Sequence, residues 1–287
     1  MTTFANGLHF DVPMKVYREA EGENVSALKE MAISPKHYLQ AKTAPSKPPT
    51  PAQRMGTVVH SVTLENDHSG YIVTPATFPH TIKGVTTIKP WSGRTTYCKE
   101  WKADQEEKGL LVLSGEDRDN LNGMATALRN HPMANAILYG PGGKNEVCCF
   151  KKHTWTELTL KGRADRLTVD GDQKTVVVDV KKTTRGCARK DVFAGEINWY
   201  KYHMQSSFYQ DLFEASYFVF VVVEEEPPHA VACYSVDKET LQIGRDLNDK
   251  YLAKVRECRD SGKWPAYSDG LETIALTDWA KKKAQET

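Results

Sequence analysis

The apolar positions change their period along the chain, and the changes outline its elements. Residues 26–42, SALKEMAISPKHYLQAK, carry a helical stripe, with Ser34 placed to cap a fresh turn and Pro35 suited to that turn's first position. APSKPPTPAQ, 44–53, interrupts the stripe as a Pro-rich loop, and MGTVVHSVTLE, 55–65, predicts a short helix. The opening 24 residues show no clear period and are expected to hold little structure of their own. Residues 66–98, dotted with Gly, Pro, Thr and Ser and free of repeats, predict a long irregular arm. Helices are expected around 98–108 and 116–130, the second striped by Leu121, Met124, Ala125 and Leu128. From 146 to 235 the signals are those of strands, interrupted by a helix at about 191–214. Asp237 can cap a last helix to about 260 that carries Leu241, Leu247, Tyr251 and Val255. This order predicts an α/β fold, a central mixed β-sheet flanked by α-helices.

Length changes the picture little: 287 residues with 40% hydrophobic content can bury one full core. The expectation is a single domain, 1–287, with N-terminal helices at 26–65, the arm at 66–98, the sheet core at 146–235 and a final helix and tail at 237–287. With 38 basic against 37 acidic residues, no overall basic field announces a nucleic acid, so any such contact must be local. The six cysteines form no C-x-x-C pair, which leaves no zinc-knuckle or iron–sulfur ligand set and predicts free thiols in a reducing compartment. No run of eighteen apolar residues occurs, and MTTFANGLHFDVPMK lacks a signal-peptide core, so a cytoplasmic protein with no membrane partner is expected.

Chemistry enters at residues 162–183, GRADRLTVDGDQKTVVVDVKKT. Asp170-Gly171-Asp172-Gln173 marks a turn, and pairing symmetric about Asp172 sets Asp165 opposite Asp179. Opposed Cβ atoms in an antiparallel pair lie roughly 4.5–5.5 Å apart, so two carboxylates there repel unless a cation lies between them. Lys181, two residues past Asp179, shares its face. Hard oxygen ligands with open positions suit Mg2+, and an ammonium beside them suits phosphodiester hydrolysis. The plain alternative is that these are edge-strand charges that deter aggregation, with Lys181 pairing one of them.

Two further sets bear on the choice. Gly56 and His60 are four apart, so they share a helix face, and a missing side chain at Gly56 would permit close packing that aims His60 inward. Gln205 and Tyr209 likewise share a face, with Tyr202 one turn earlier. Singly, a lone His is more often structural and aromatics at helical spacing are usually core.

Together, G-x-x-x-H at Gly56–His60, G-R-A-D at Gly162–Asp165, D-V-K-K-T at Asp179–Thr183 and Y-H-x-Q-x-x-x-Y at Tyr202–Tyr209 resemble the PD-(D/E)xK nuclease superfamily. Within it the chain is similar to the phage exodeoxyribonuclease VIII (RecE-like) recombination exonucleases, relatives of RecB-type nuclease domains and, more distantly, of lambda exonuclease. S-P-x-H-Y at Ser34–Tyr38 looks like the family's N-terminal helix motif, so the resemblance spans 26 to about 215. It implies that Asp165 and Asp179 ligate metal, completed by the Val180 carbonyl and His60, that Lys181 is the catalytic lysine, and that Gln205 and Tyr209 support the site or contact DNA. It further implies that Ser34, Arg163 and Arg185 hold a 5′ phosphate and that Glu146 is an acidic helper. Asp179 stands where many members have Glu.

The same resemblance implies an enzyme that digests linear double-stranded DNA from the 5′ end with Mg2+, or Mn2+ in its place, leaving 3′ overhangs for a RecT-like single-strand annealing protein. A homo-oligomeric ring of three or four subunits in a bacterial host cytoplasm is expected, its lining drawn from Lys151, Lys152, Lys182, Arg185, Arg189 and Lys190. The alternatives are an endonuclease of the superfamily or a non-catalytic DNA-binding module on the same fold.

Overall fold

The computed structural model describes residues 3–45 and 48–285, so Ser46 and Lys47 of the Pro-rich loop, and the last two residues of the tail, lie outside the described residues. In chain order, β1 (Gly7–His9) and α1 (Met14–Glu19) lead to α2 (Val25–Met31), α3 (Pro35–Thr43) and α4 (Pro51–His60), which continues into a π-helical turn at Ser61–Glu65. Next come β2 (Tyr71–Val73), β3 (Thr77–Ile82), β4 (Val85–Pro90), α5 (Thr96–Glu107) and β5 (Leu111–Leu113). Then follow α6 (Gly115–Asn130), α7 (Pro132–Tyr139), β6 (Lys144–Lys152), β7 (Thr159–Val169) and β8 (Thr175–Thr183). The chain ends with α8 (Lys190–Trp199), α9 (Tyr202–Leu212), β9 (Tyr217–Glu224), β10 (Val231–Ser235), α10 (Lys238–Ser261) and α11 (Asp278–Gln285).

Six strands form a mixed sheet in the order β1-β6-β7-β8-β9-β10. Every neighbour pair is antiparallel except β8 and β9, and a parallel pair needs a crossover, which α8 and α9 supply. The Val-rich run of β8 follows from burial on both sides. Val176, Val178 and Val180 meet α4, α6 and α7 through Val58, Val59, Leu121, Met124, Leu128 and Leu138. Val177 faces the opposite layer, where Leu28, Tyr38, Phe193, Met204, Phe208 and Leu252 of α2, α3, α8, α9 and α10 pack. Asp179 and Lys181 share the parity of Val177 and so point to that layer. The expected α/β architecture with helices on both faces is therefore what the chain adopts.

Several expectations need correction. Of the opening 24 residues, those described, 3–24, hold structure: β1 pairs with β6, Gly7 opposite Phe150, and α1 follows. A three-residue strand is too short to show a period. The expected loop at 44–53 gives way at Pro51, because Thr50 and Gln53 close a capping box that starts α4 early. The irregular arm holds a hairpin of β3 and β4 whose two-residue turn, Lys83-Gly84, has both φ positive, the geometry that matches strand twist. Pro79 and Pro90 had hidden its alternation. The helix at 191–214 is two helices, broken at Tyr200 and at Lys201, whose φ is +52°.

Candidate functional site

The hairpin of β7 and β8 has the predicted register, from Val169 opposite Thr175 to Arg166 opposite Val178. At the next step the ladder stops. The backbone N–H of Val180 donates instead to Asp165 Oδ2 at 2.8 Å, so a carboxylate replaces a strand contact. Lys181 Nζ lies 2.6 Å from Asp179 Oδ2, and Gln205 Nε2 donates to Asp179 Oδ1 at 2.6 Å. Asp179 Oδ2 is buried and receives no well-aligned hydrogen bond, the Lys181 ammonium being its ion-pair neighbour. Burial pushes the Asp165 carboxyl upward, His60 opposes that shift, and the neighbouring Asp179 adds to it. Burial works against the Lys181 ammonium too, but the charges of Asp179 and Asp165 outweigh it and hold its pKa above the usual lysine value.

His60 ends α4 and reaches the same point. Its Nε2 donates to the Val180 carbonyl at 2.9 Å and its Nδ1 lies 3.6 Å from Asp165 Oδ1. Ligand atoms of His60, Glu146 and Asp165 all lie within 4.8 Å of one another. Glu146 has a φ of +54°, in the left-handed region that a glutamate rarely occupies, and the β6–β7 ladder passes over it from Asn145 to Val147. Non-glycine residues held there cost on the order of 1–2 kcal/mol, a strain that collects at functional sites.

Carboxylates, an imidazole and a backbone carbonyl form a donor set that suits a hard divalent cation. Asp165, Glu146 and His60 would hold such an ion, with the Val180 carbonyl beside them, whereas Asp179, expected to ligate together with Asp165, stands outside that group of mutually close donor atoms and is engaged by Lys181 and Gln205.

α9 supplies the supports. Tyr209 Oη accepts from the backbone N–H of Arg163 at 3.4 Å, opposite Gln205 on Asp179. Gly162 lets α9 settle on β7, since a Cβ there would lie 2.7 Å from Leu212 Cδ2 and 3.5 Å from Tyr209 Cζ. Gly56 does not act as expected. A Cβ on it would meet nothing within 4 Å, so it does not pack His60 inward but lines an open cleft with it. That cleft, of ≈ 810 Å³, is also bordered by Arg18, Val180, Lys181, Lys182, Tyr200 and Tyr202.

The residues expected to hold a 5′ phosphate are not brought together. Ser34 is buried as the cap of α3, its Oγ 2.7 Å from His37 Nδ1. Arg163 gives its guanidinium to the Glu146 carboxylate and the Val12 carbonyl. Arg185 borders a different depression, with Glu116, Asp119 and Glu226. Of the expected ring lining, Lys151, Lys152, Lys182 and Arg189 pair with Glu214, Glu157, Glu225 and Asp191. The sequence reading missed Arg18, because α1 is too short to announce itself, and Lys29, which α2 brings over the Tyr202 ring.

Among the described residues, no helix is long and apolar enough to cross a membrane. The structure is similar to that of a candidate exonuclease from Eubacterium rectale, with 12% identity, 95% of this chain and 98% of that chain covered, and a TM-score of 0.56. It is less similar to Candida albicans Rai1 solved with pU5 and Mn2+, at 11% identity, 88% and 70% coverage and a TM-score of 0.30, a likeness too slight to argue from. No curated protein matches the chain. The family of PDDEXK-like domains of unknown function (DUF3799) matches residues 24–277, nearly the whole chain and every motif residue named above, and to that family the chain belongs.

Proposed function

We propose that the protein is a metal-dependent deoxyribonuclease that digests linear double-stranded DNA from an end, 5′ to 3′, leaving 3′ single strands for an annealing protein of the RecT type. The observation that carries this reading is the meeting of His60, Glu146 and Asp165 beside the Asp179–Lys181 ion pair at the middle of β8, with His60 and Lys181 on the wall of an open cleft. Ligands in such sheets gather toward the carboxyl ends of parallel strands, and Asp179 and Lys181 stand from the middle of β8 onward, beside its parallel neighbour β9. Mg2+, or Mn2+ in its place, would supply Lewis acidity at the scissile phosphate and a bound water of lowered pKa. The chain's own groups do the rest. Asp165 and Asp179 set the negative field, and Gln205 locks the rotamer of Asp179. His60 anchors to the strand through Val180, which fixes its tautomer with the proton on Nε2. Lys181 keeps its proton against burial, so a full positive charge stands ready for the developing phosphorane. The ring of three or four subunits belongs to the same proposal: with 38 basic and 37 acidic residues, hold on DNA would come from encirclement.

The test is release of acid-soluble nucleotides from linear duplex in Mg2+, compared with Asp179→Ala. Digestion of the linear form with covalently closed circles left whole supports the reading. Nicked circles would make it an endonuclease, and DNA binding without metal-dependent cleavage would make it a non-catalytic module.

A further inference from the structure

Where α8 gives way to α9, the chain turns two aromatic rings outward, Tyr200 onto the cleft and Trp199 onto a separate depression with Asn198, Lys201 and His203. Lys201 takes a φ of +52°, uncommon for lysine, and the corner it makes leaves Trp199 79% and Tyr200 51% exposed. Side chains this large are seldom left so bare. Trp199 makes no ring contact among the described residues. Tyr200 lines the cleft and stacks on Tyr202, with ring centroids 5.4 Å apart and planes 28° apart. The Tyr202 ring lies in turn 5.0 Å from Lys181 Nζ. Tyr202 is tied inward by contacts with Phe193 and Phe220, so the ladder of rings is fixed at its inner end and open at its outer one. Arg18, on the same cleft, has no ion pair or hydrogen bond to its guanidinium among the described residues.

We infer that Tyr200, at the outer end of this pair of rings, forms a base-stacking subsite for unpaired nucleotides of the strand that enters the cleft, a reading that rests on the nuclease assignment above. Every base offers a π-face, and an aromatic platform can take it only when the base has left its own stack. A ring one step removed from the Lys181 ammonium would hold the base next to the phosphate under attack. Arg18 supplies a guanidinium suited to a neighbouring backbone phosphate. The preferred substrate is therefore a single strand or a frayed duplex end rather than a flush one.

Fluorescence anisotropy of an eight-nucleotide thymidine oligomer with the full chain, in Ca2+ instead of Mg2+, tests this. Tyr200→Leu should weaken binding about ten-fold, while Tyr200→Phe and Trp199→Leu, the latter off the cleft, bind as the unaltered protein does and all melt at the same temperature. In Mg2+, the preference in kcat/KM for a duplex with three mismatched terminal pairs over a flush duplex should shrink in Tyr200→Leu. Tyr200→Leu binding as tightly as the unaltered protein, Tyr200→Phe or Trp199→Leu as weak as Tyr200→Leu, or no binding by any form would overturn the subsite. Binding that depends on Tyr200 without metal-dependent cleavage would leave the subsite standing and remove the nuclease reading.

Discussion

Lys29 and Lys181 attend the same ring: their ammonium groups lie 5.3 Å and 5.0 Å from the centroid of Tyr202. The two are treated differently. Lys181 keeps its proton through Asp179, whereas burial and then the charge of Lys181 push Lys29 down to about 8. At pH 9 Lys29 is therefore mostly the neutral amine, while an ordinary surface lysine, near 10.4, is still mostly protonated. Pulse acylation read by mass spectrometry should give Lys29 a half-maximal labelling rate near pH 8. Labelling that rises only above pH 10 would contradict the arrangement.

Lys181→Ala should lower kcat by at least about 10²–10³-fold, the scale of removing one preorganised transition-state donor. DNA and metal binding should survive, because the charge is used mainly at the transition state. Calorimetric titration of Mn2+ into the variant is the check, and an equal loss of metal affinity would remove Lys181 from that role.

His60→Ala is expected to lower metal affinity by about ten-fold or more and to regain part of its activity in excess metal. Failure of metal to restore any activity would make His60 a structural anchor of α4 on Val180.

Gly244 sits where α10 crosses α9. A Cβ there would lie 2.1 Å from the His203 carbonyl oxygen and 2.5 Å from Ser207 Oγ. Gly244→Ala should cost about 1–3 kcal/mol in denaturant unfolding and, by lifting α9, loosen Gln205 from Asp179 and lower kcat as well. Unchanged stability would mean that the two helices slide apart freely.

Glu23 is 1% exposed and gathers the Tyr38 hydroxyl, Arg259 and, at 3.4 Å, Lys42. Glu23→Ala strands the buried Tyr38 hydroxyl, while Arg259 and Lys42 can turn to water, and should cost about 1–3 kcal/mol, the penalty of an unsatisfied buried donor. Thermal melting at neutral pH measures it.

The hairpin was legible because a turn at Asp170–Gln173 and a run of valines leave one register that buries them, and that register brings Asp165 to the step beside Asp179, where the ladder gives way to the Val180–Asp165 hydrogen bond. The helix faces of Gln205 and Tyr209 followed from spacing. Arg18 and the grip of Arg163 on Glu146 did not, because each depends on how the first strand and helix lie against β6 and β7, contacts far apart in the chain that leave no local period. Gly56 misled for a related reason: a glycine that opens a cleft and one that permits close approach are written with the same letter.

Arg163 joins the Glu146 carboxylate to the carbonyl of Val12, and Lys161 fastens the end of α1 by donating to the carbonyls of Tyr17, Arg18 and Ala20. The first twenty residues thus carry no reactive acid or base of the centre, yet they set the pose of one of its acids and the position of its free guanidinium. A chain trimmed back to the start of α2 would keep every motif residue and still have lost the brace that aims them.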